Sequence, residues 1–185
     1  MKKCENLLSH SKIEIKDIPN IDLYMDQLTG YIDAAFEKLK IYEDEKILTK
    51  TMINNYVKAK VIDKPVKKKY NKNQIMELIM IYHLKNILSI AEVGELFRIQ
   101  KEQWAKGINQ YEDGTIEMGT NPTEEIYKIF LEVQDEVLKE AEINFEENMN
   151  PNKNTNKDDI MRYILKLVLK ADINKRLAEL SLKEL

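Results

Sequence analysis

The stretch Leu48–Tyr70, LTKTMINNYVKAKVIDKPVKKKY, decides how the rest of the chain is read. Thr49 carries a hydroxyl suited to capping a helix. Behind it, Met52, Ile53, Tyr56 and Val57 fall at i, i+1, i+4 and i+5, which gathers them on one side of that helix. Lys50, Thr51, Asn54, Asn55 and Lys58 occupy the other side. The helix is expected to end near Lys60. Val61 and Ile62 then precede Asp63-Lys64-Pro65, a turn signal, and Val66–Tyr70 is expected to form the second strand of a small hairpin.

Charge sets this segment apart. From Thr49 to Lys72 there are eight lysines, at 50, 58, 60, 64, 67, 68, 69 and 72, against the single acid Asp63. The segment carries +7 in a chain of formal net charge −3, so the remainder sums to −10. Concentrated lysine suits a polyphosphate, because each neutralised phosphate releases condensed counterions whatever the overall pI. Asparagine adds a different capacity: its amide bonds in bidentate fashion to an adenine edge in the major groove, and threonine contacts the thymine methyl. Lys50, Thr51, Asn54 and Asn55 are therefore the candidate groove-facing residues, with Asn54 the more exposed asparagine, and Lys58 on the same polar side is a further candidate DNA contact. Lys64, Lys67, Lys68 and Lys69 are the candidate phosphate contacts. A charged run is also commonly a solvated face with no ligand.

The order TKTMINNYVKAKVI, a basic turn, then KKKYNKNQIMELIMIYHLKNILSIAEVGELF resembles the winged helix-turn-helix of the mercury-resistance-regulator (MerR) superfamily. That resemblance implies a recognition helix ending in a paired aromatic at Asn55-Tyr56 and a "glycine-leucine-leucine" exit at Lys60-Val61-Ile62. It further implies a basic wing closing at Lys69-Tyr70 and two following helices, the second capped by Ser89. More closely, PNIDLYMDQLTGYID with ILTKTMINNYVK resembles the bacterial family of domains of unknown function numbered 1836, over about residues 18–100. The expectation is sequence-specific binding of double-stranded DNA by a transcriptional regulator, with the recognition helix at Thr49–Lys60 and the wing at Lys64–Tyr70.

Composition bounds the alternatives. A chain of 185 residues with 43% hydrophobic and 33% charged residues, five Gly and four Pro reads as one or two mostly helical domains. No run approaches the roughly 18 apolar residues of a membrane span, and MKKCENLLSHSK lacks the apolar core of a secretory signal, so a cytoplasmic location is expected. Cys4 is the single cysteine, which excludes an internal disulfide and a cysteine-based metal site. His10 and His83 lie far apart, and His83 within IMIYHLKNIL is expected to be structural; no metal or cofactor is expected. There is no P-loop, no dinucleotide fingerprint and no nucleophile with a base at useful spacing, so the chain is not expected to be an enzyme.

Residues 1–17 carry no strong pattern and are expected to be a lead-in. Pro19-Asn20 is expected to start a helix capped by Asn20, with Ile21, Met25, Leu28, Ile32, Phe36 and Leu39 in its stripe. Its acids Asp22, Asp26, Asp33 and Glu37 make it a support for the second helix. Asn71 with Gln74, and Ser89 with Glu92, are capping boxes that open two more helices. Residues 18–99 are thus expected to form the winged helix-turn-helix domain. Periodicity fails after Ile99, and three of the five glycines follow, so a connector is expected at 100–120, anchored by Trp104, with Lys101 and Lys106 in reach of phosphate.

Asn121-Pro122-Thr123-Glu124 starts another helix, with Ile126, Ile129, Phe130, Val133, Val137 and Ala141 on one face. Nine acids against two lysines between Asn121 and Met149 keep this region off DNA. A last helix offers Ile160, Ile164, Leu167, Val168, Ala171 and Leu177. Residues 121–185 read as a helical hairpin whose apolar stripes need a partner, either the N-terminal domain or a second copy. A homodimer through these helices, binding an inverted repeat, is the expectation. The expected fold class is therefore mainly all-α, a MerR-like winged helix-turn-helix with a small β wing followed by a C-terminal helical hairpin. The rival expectation is a non-enzymatic helical interaction module that binds a protein through its C-terminal helices and an acidic partner through the basic patch. No residue marks a small-molecule effector pocket.

Overall fold

Nine consecutive residues, Gln74–Tyr82, are buried, and a helix with no wet side must be enclosed by its neighbours. The computed structural model describes residues 12–40, 42, 45, 47–108, 121–149 and 156–184, the side chains of 100 and 103–108 excepted. The chain is mainly helical. In order come a 3-10 turn (Ile15–Asp17), β1 (Leu23–Tyr24), α1 (Met25–Phe36), a second 3-10 turn (Glu37–Leu39), α2 (Lys50–Lys58), β2 (Lys69–Tyr70), α3 (Lys72–Leu84), α4 (Ile90–Ile108), α5 (Pro122–Met149) and α6 (Lys157–Glu184). They form two units, Met1–Leu131 and Glu132–Leu185. No helix among the described residues is long and apolar enough to cross a membrane.

In the first unit α3 is the buried axis. Leu28, Ile32 and Phe36 of α1, Ile53 and Tyr56 of α2, and Val93 and Phe97 of α4 share its core with Tyr127 and Leu131 of α5. Phe36 stacks on Tyr82 with ring centroids 4.1 Å apart. Gly94 marks a close approach, since a Cβ there would sit 3.1 Å from the Val61 side chain. The two polar residues buried along α3 are both satisfied. The Gln74 carbonyl oxygen accepts from the Asn71 N–H at 2.9 Å and its amide donates to the Asp63 carbonyl at 2.8 Å. Glu77 accepts from Lys101 Nζ of α4 at 2.8 Å. Burial raises the Glu77 pKa and the Lys101 hydrogen bond opposes that rise.

Both expected capping boxes close. The Asn71 side chain accepts from the Gln74 N–H at 3.0 Å, and Ser89 and Glu92 exchange bonds of 2.7 and 3.3 Å. The expected lead-in contributes to the core at Ile13. Ile13 and Ile18 are buried, and the Tyr127 hydroxyl donates to the Ile13 carbonyl at 2.8 Å.

Three expectations need correction. The first helix begins at Met25, not after Asn20: Leu23 and Tyr24 are extended and pair antiparallel with Tyr70 and Lys69. Strand pairing turns Leu23 inward and leaves Ile21 outside the stripe, 68% exposed. The strand at Lys69–Tyr70 therefore takes Leu23–Tyr24 as its partner and not Val61-Ile62, which are buried in a bend. Finally, α4 continues to Ile108, so the first part of the expected connector, residues 100–108, is helix. Residues 109–120 and the side chains of Trp104 and Lys106 lie outside the described residues.

In the second unit, Asn156 caps α6: its side chain accepts from the Asp159 N–H at 2.9 Å, and Asp159 returns a bond to the Asn156 N–H at 3.3 Å. No residue of α6 is buried.

His83 supplies a test of the first core. Its ring lies 5.4 Å from Phe36, 5.0 Å from Tyr82 and 5.5 Å from Phe130, and its Nε2 is buried without a hydrogen-bond partner. Burial lowers its pKa from 6.5 to about 4. A folded value below the unfolded one means that the stability tied to neutral His83 is present above about pH 6.5 and is lost as pH falls through about 4, by roughly 3 kcal/mol in full. Denaturant unfolding of wild type and His83→Phe between pH 7 and 4 should show wild type losing more stability over that window. Parallel losses would remove His83 from the acid response.

Candidate nucleic-acid interface

Helix α2 owes its orientation to two side chains. Ile53 and Tyr56 are buried, and the Thr49 hydroxyl accepts from the Met52 N–H at 3.2 Å to fix the helix start. Lys50, Thr51, Asn54, Asn55 and Lys58 are consequently all exposed, both asparagines included. Asn54 and Asn55 are neighbours about 100° apart, yet the narrow buried side leaves room for both outside.

The helix ends in a Schellman motif. The Val61 N–H donates to the Tyr56 carbonyl at 3.0 Å and the Lys60 N–H to the Val57 carbonyl at 3.1 Å, with Lys60 at φ 59°. Glycine usually takes that left-handed position. Beyond the Asp63 carbonyl, which Gln74 holds, the chain makes a two-residue hairpin turn. Val66 and Lys69 bridge, the Lys69 N–H donates to the Val66 carbonyl at 2.9 Å, and Lys67 and Lys68 have φ of 50° and 65°. Two positive φ values are the mark of a type I′ turn, which favours Asn-Gly. Lysine thus occupies three backbone positions that cost a residue bearing a Cβ roughly 1–2 kcal/mol each relative to glycine.

The start of α2 and the base of the turn meet at the start of α1. Lys50 Nζ pairs with the Asp26 carboxylate, and Lys69 Nζ lies over the Tyr24 ring, 4.9 Å from its centroid. Asp26 and Tyr24 are two residues apart, which limits the separation of their Cα atoms to about 7 Å. The nine expected site residues accordingly divide. Lys50 and Lys69 are engaged within the domain, the first by an exposed pair worth at most about 1 kcal/mol. Lys58, Lys64, Lys67 and Lys68 are exposed and make no ion pair with any described residue, and Thr51, Asn54 and Asn55 present their polar groups outward. Sequence reasoning left Lys60 out of the site, although it is exposed beside Lys58. Its place at the helix exit, where glycine is usual, was the signal available.

The first unit is a helical domain with one short two-stranded sheet, an acid-free polar face on α2 and a lysine-tipped turn. The chain belongs to the family described as a domain of unknown function, DUF1836, whose model matches residues 13–130. The match starts at Ile13, where Tyr127 ties the N-terminal segment down, and stops one residue before the first unit ends, so it extends past both limits expected from the sequence. No curated protein and no solved structure matches the chain.

The strained turn makes its own prediction. Replacing Lys67-Lys68 by Asn-Gly should leave folding stability unchanged or raise it by up to about 1 kcal/mol, because those residues adopt positive φ at little cost. Thermal or denaturant unfolding measures this directly. A clear destabilisation would mean that the lysines themselves hold the fold.

Proposed function

We propose that this domain binds double-stranded DNA in a sequence-specific manner as a non-catalytic transcriptional regulator of the cytoplasm, through a MerR-like winged helix-turn-helix. Helix α2 is the recognition helix and the Val66–Lys69 turn is the tip of the wing. The observation that carries this reading is the placement of Lys60, Lys67 and Lys68 at left-handed positions where glycine or asparagine is cheaper. Solvation is served by lysine at any exposed position and gives no reason to place it at these. A phosphate backbone does, through counterion release.

The roles follow from chemistry and exposure. Thr51, Asn54 and Asn55 read base edges and methyl groups in the major groove. Lys58, Lys60, Lys64, Lys67 and Lys68 hold phosphates, which position the domain without specifying sequence. Lys50 exchanges Asp26 for a phosphate at little cost, because its pair is exposed. Lys69 stays on Tyr24 and keeps the wing against the start of α1. Lys60 stands where the resemblance puts the glycine of the helix exit, and its left-handed φ supports that alignment.

Fluorescence anisotropy with a duplex selected from random sequence, and with an unrelated duplex, tests the assignment. The Lys67→Asn/Lys68→Gly variant should weaken both duplexes alike and flatten the plot of log affinity against log salt by about 0.9 per lost contact. Asn54→Ala should cost about 1–3 kcal/mol on the selected duplex and little on the unrelated one. Absence of binding to any duplex at low salt would contradict the proposal and favour an acidic protein as the ligand of the basic patch.

A further inference from the structure

The second unit leaves its apolar surface uncovered. Twelve of its large apolar side chains, from Val133 to Leu180, are each 47–60% exposed. Monomeric proteins rarely leave a contiguous apolar patch above about a few hundred Å². Seven of the twelve fall in two rows of spacing four. On α6, Met161, Leu165, Leu169, Ile173 and Leu177 make one row, and Arg162, Lys166 and Lys170 run beside it. A groove of about 600 Å³ lies along these two rows. On α5, Val133, Val137 and Ala141 make a similar row, and there the neighbours are Glu132, Glu136 and Glu140. None of these six charged side chains has an ion pair with any described residue, and all are exposed.

From this pattern we infer that the second unit is a self-association module in which α6 of one copy lies on α5 of another, reciprocally about a two-fold axis. Rows of spacing four are the ridges that interdigitate in the commonest class of helix packing. With the apolar rows interleaved, the basic row of one copy faces the acidic row of the other. Packing within the second unit leaves these faces half exposed. An anionic membrane suits the basic row alone, since the acidic row of the same unit is repelled by it. A second copy satisfies both rows at once, and a two-fold arrangement repeats the contact.

Sedimentation of the full chain without DNA reads the outcome separately from any DNA binding. Wild type at micromolar concentration should have about twice the 21.8 kDa chain mass. Leu165→Glu/Leu169→Glu should be monomeric with unchanged helical circular dichroism. Lys166→Glu/Lys170→Glu should dissociate at least about tenfold more readily, and adding Glu132→Lys/Glu136→Lys to the same chain should restore the dimer. A monomeric wild type, or a wild type that joins phosphatidylglycerol vesicles in place of dimerising, overturns the inference. So does a dimer indifferent to charge reversal, which removes α5 as the opposing face.

Discussion

Helix α3 has no face it can show to water between Gln74 and Tyr82, and the rest of the first unit is arranged to meet that constraint. Burying that run strands two polar side chains, and an unsatisfied one costs about 1–3 kcal/mol. Glu77 is answered by Lys101, which fastens α4 to α3. Gln74 is answered on both ends of its amide, by the Asn71 N–H at its own helix start and by the Asp63 carbonyl in the loop after α2. One residue thereby sets where α3 begins and where the loop toward the lysine turn departs. The exposed face of α2 is the complement of the same packing, since Ile53 and Tyr56 face the core and the polar side is what remains.

The basic surface works against local backbone preference. Lys60 closes a helix, and Lys67 with Lys68 closes a hairpin, in conformations that glycine accepts more cheaply. Local strain of this kind persists where the surroundings hold it in place. Here the Schellman bonds, the Val66–Lys69 bridge and the pairing of Lys69–Tyr70 with Leu23–Tyr24 supply the restraint. The acids of α5, by contrast, belong to a helix whose exposed face is unfit for phosphate.

Much of this was legible in the sequence, for a physical reason. Caps and stripes are local, so Thr49, Asn71 with Gln74, Ser89 with Glu92, and the inward pair Ile53 and Tyr56 were readable within a few residues of each element. The strand at Leu23–Tyr24 was not, because a two-residue strand is defined by its partner at Lys69–Tyr70, and nothing near Leu23 announces it. The start of α1 moved with it. The continuation of α4 to Ile108 was hidden by a mixed polar run with no apolar period. The division of the lysines into engaged and outward ones also depends on distant neighbours, Asp26 for Lys50 and Tyr24 for Lys69. The family match over residues 13–130 agrees with the packed unit because Ile13 and Tyr127 close it from opposite ends of that segment.

The most direct measurement is an amide chemical-shift titration of the isotope-labelled full chain with a mixed-sequence DNA duplex. If α2 and the lysine turn form the interface that α3 supports, the largest shifts fall at residues 50–60 and 64–69, while the buried amides of 74–82 and those of α6 stay in place. Shifts confined to α5 and α6, or no shifts at low salt, would contradict it.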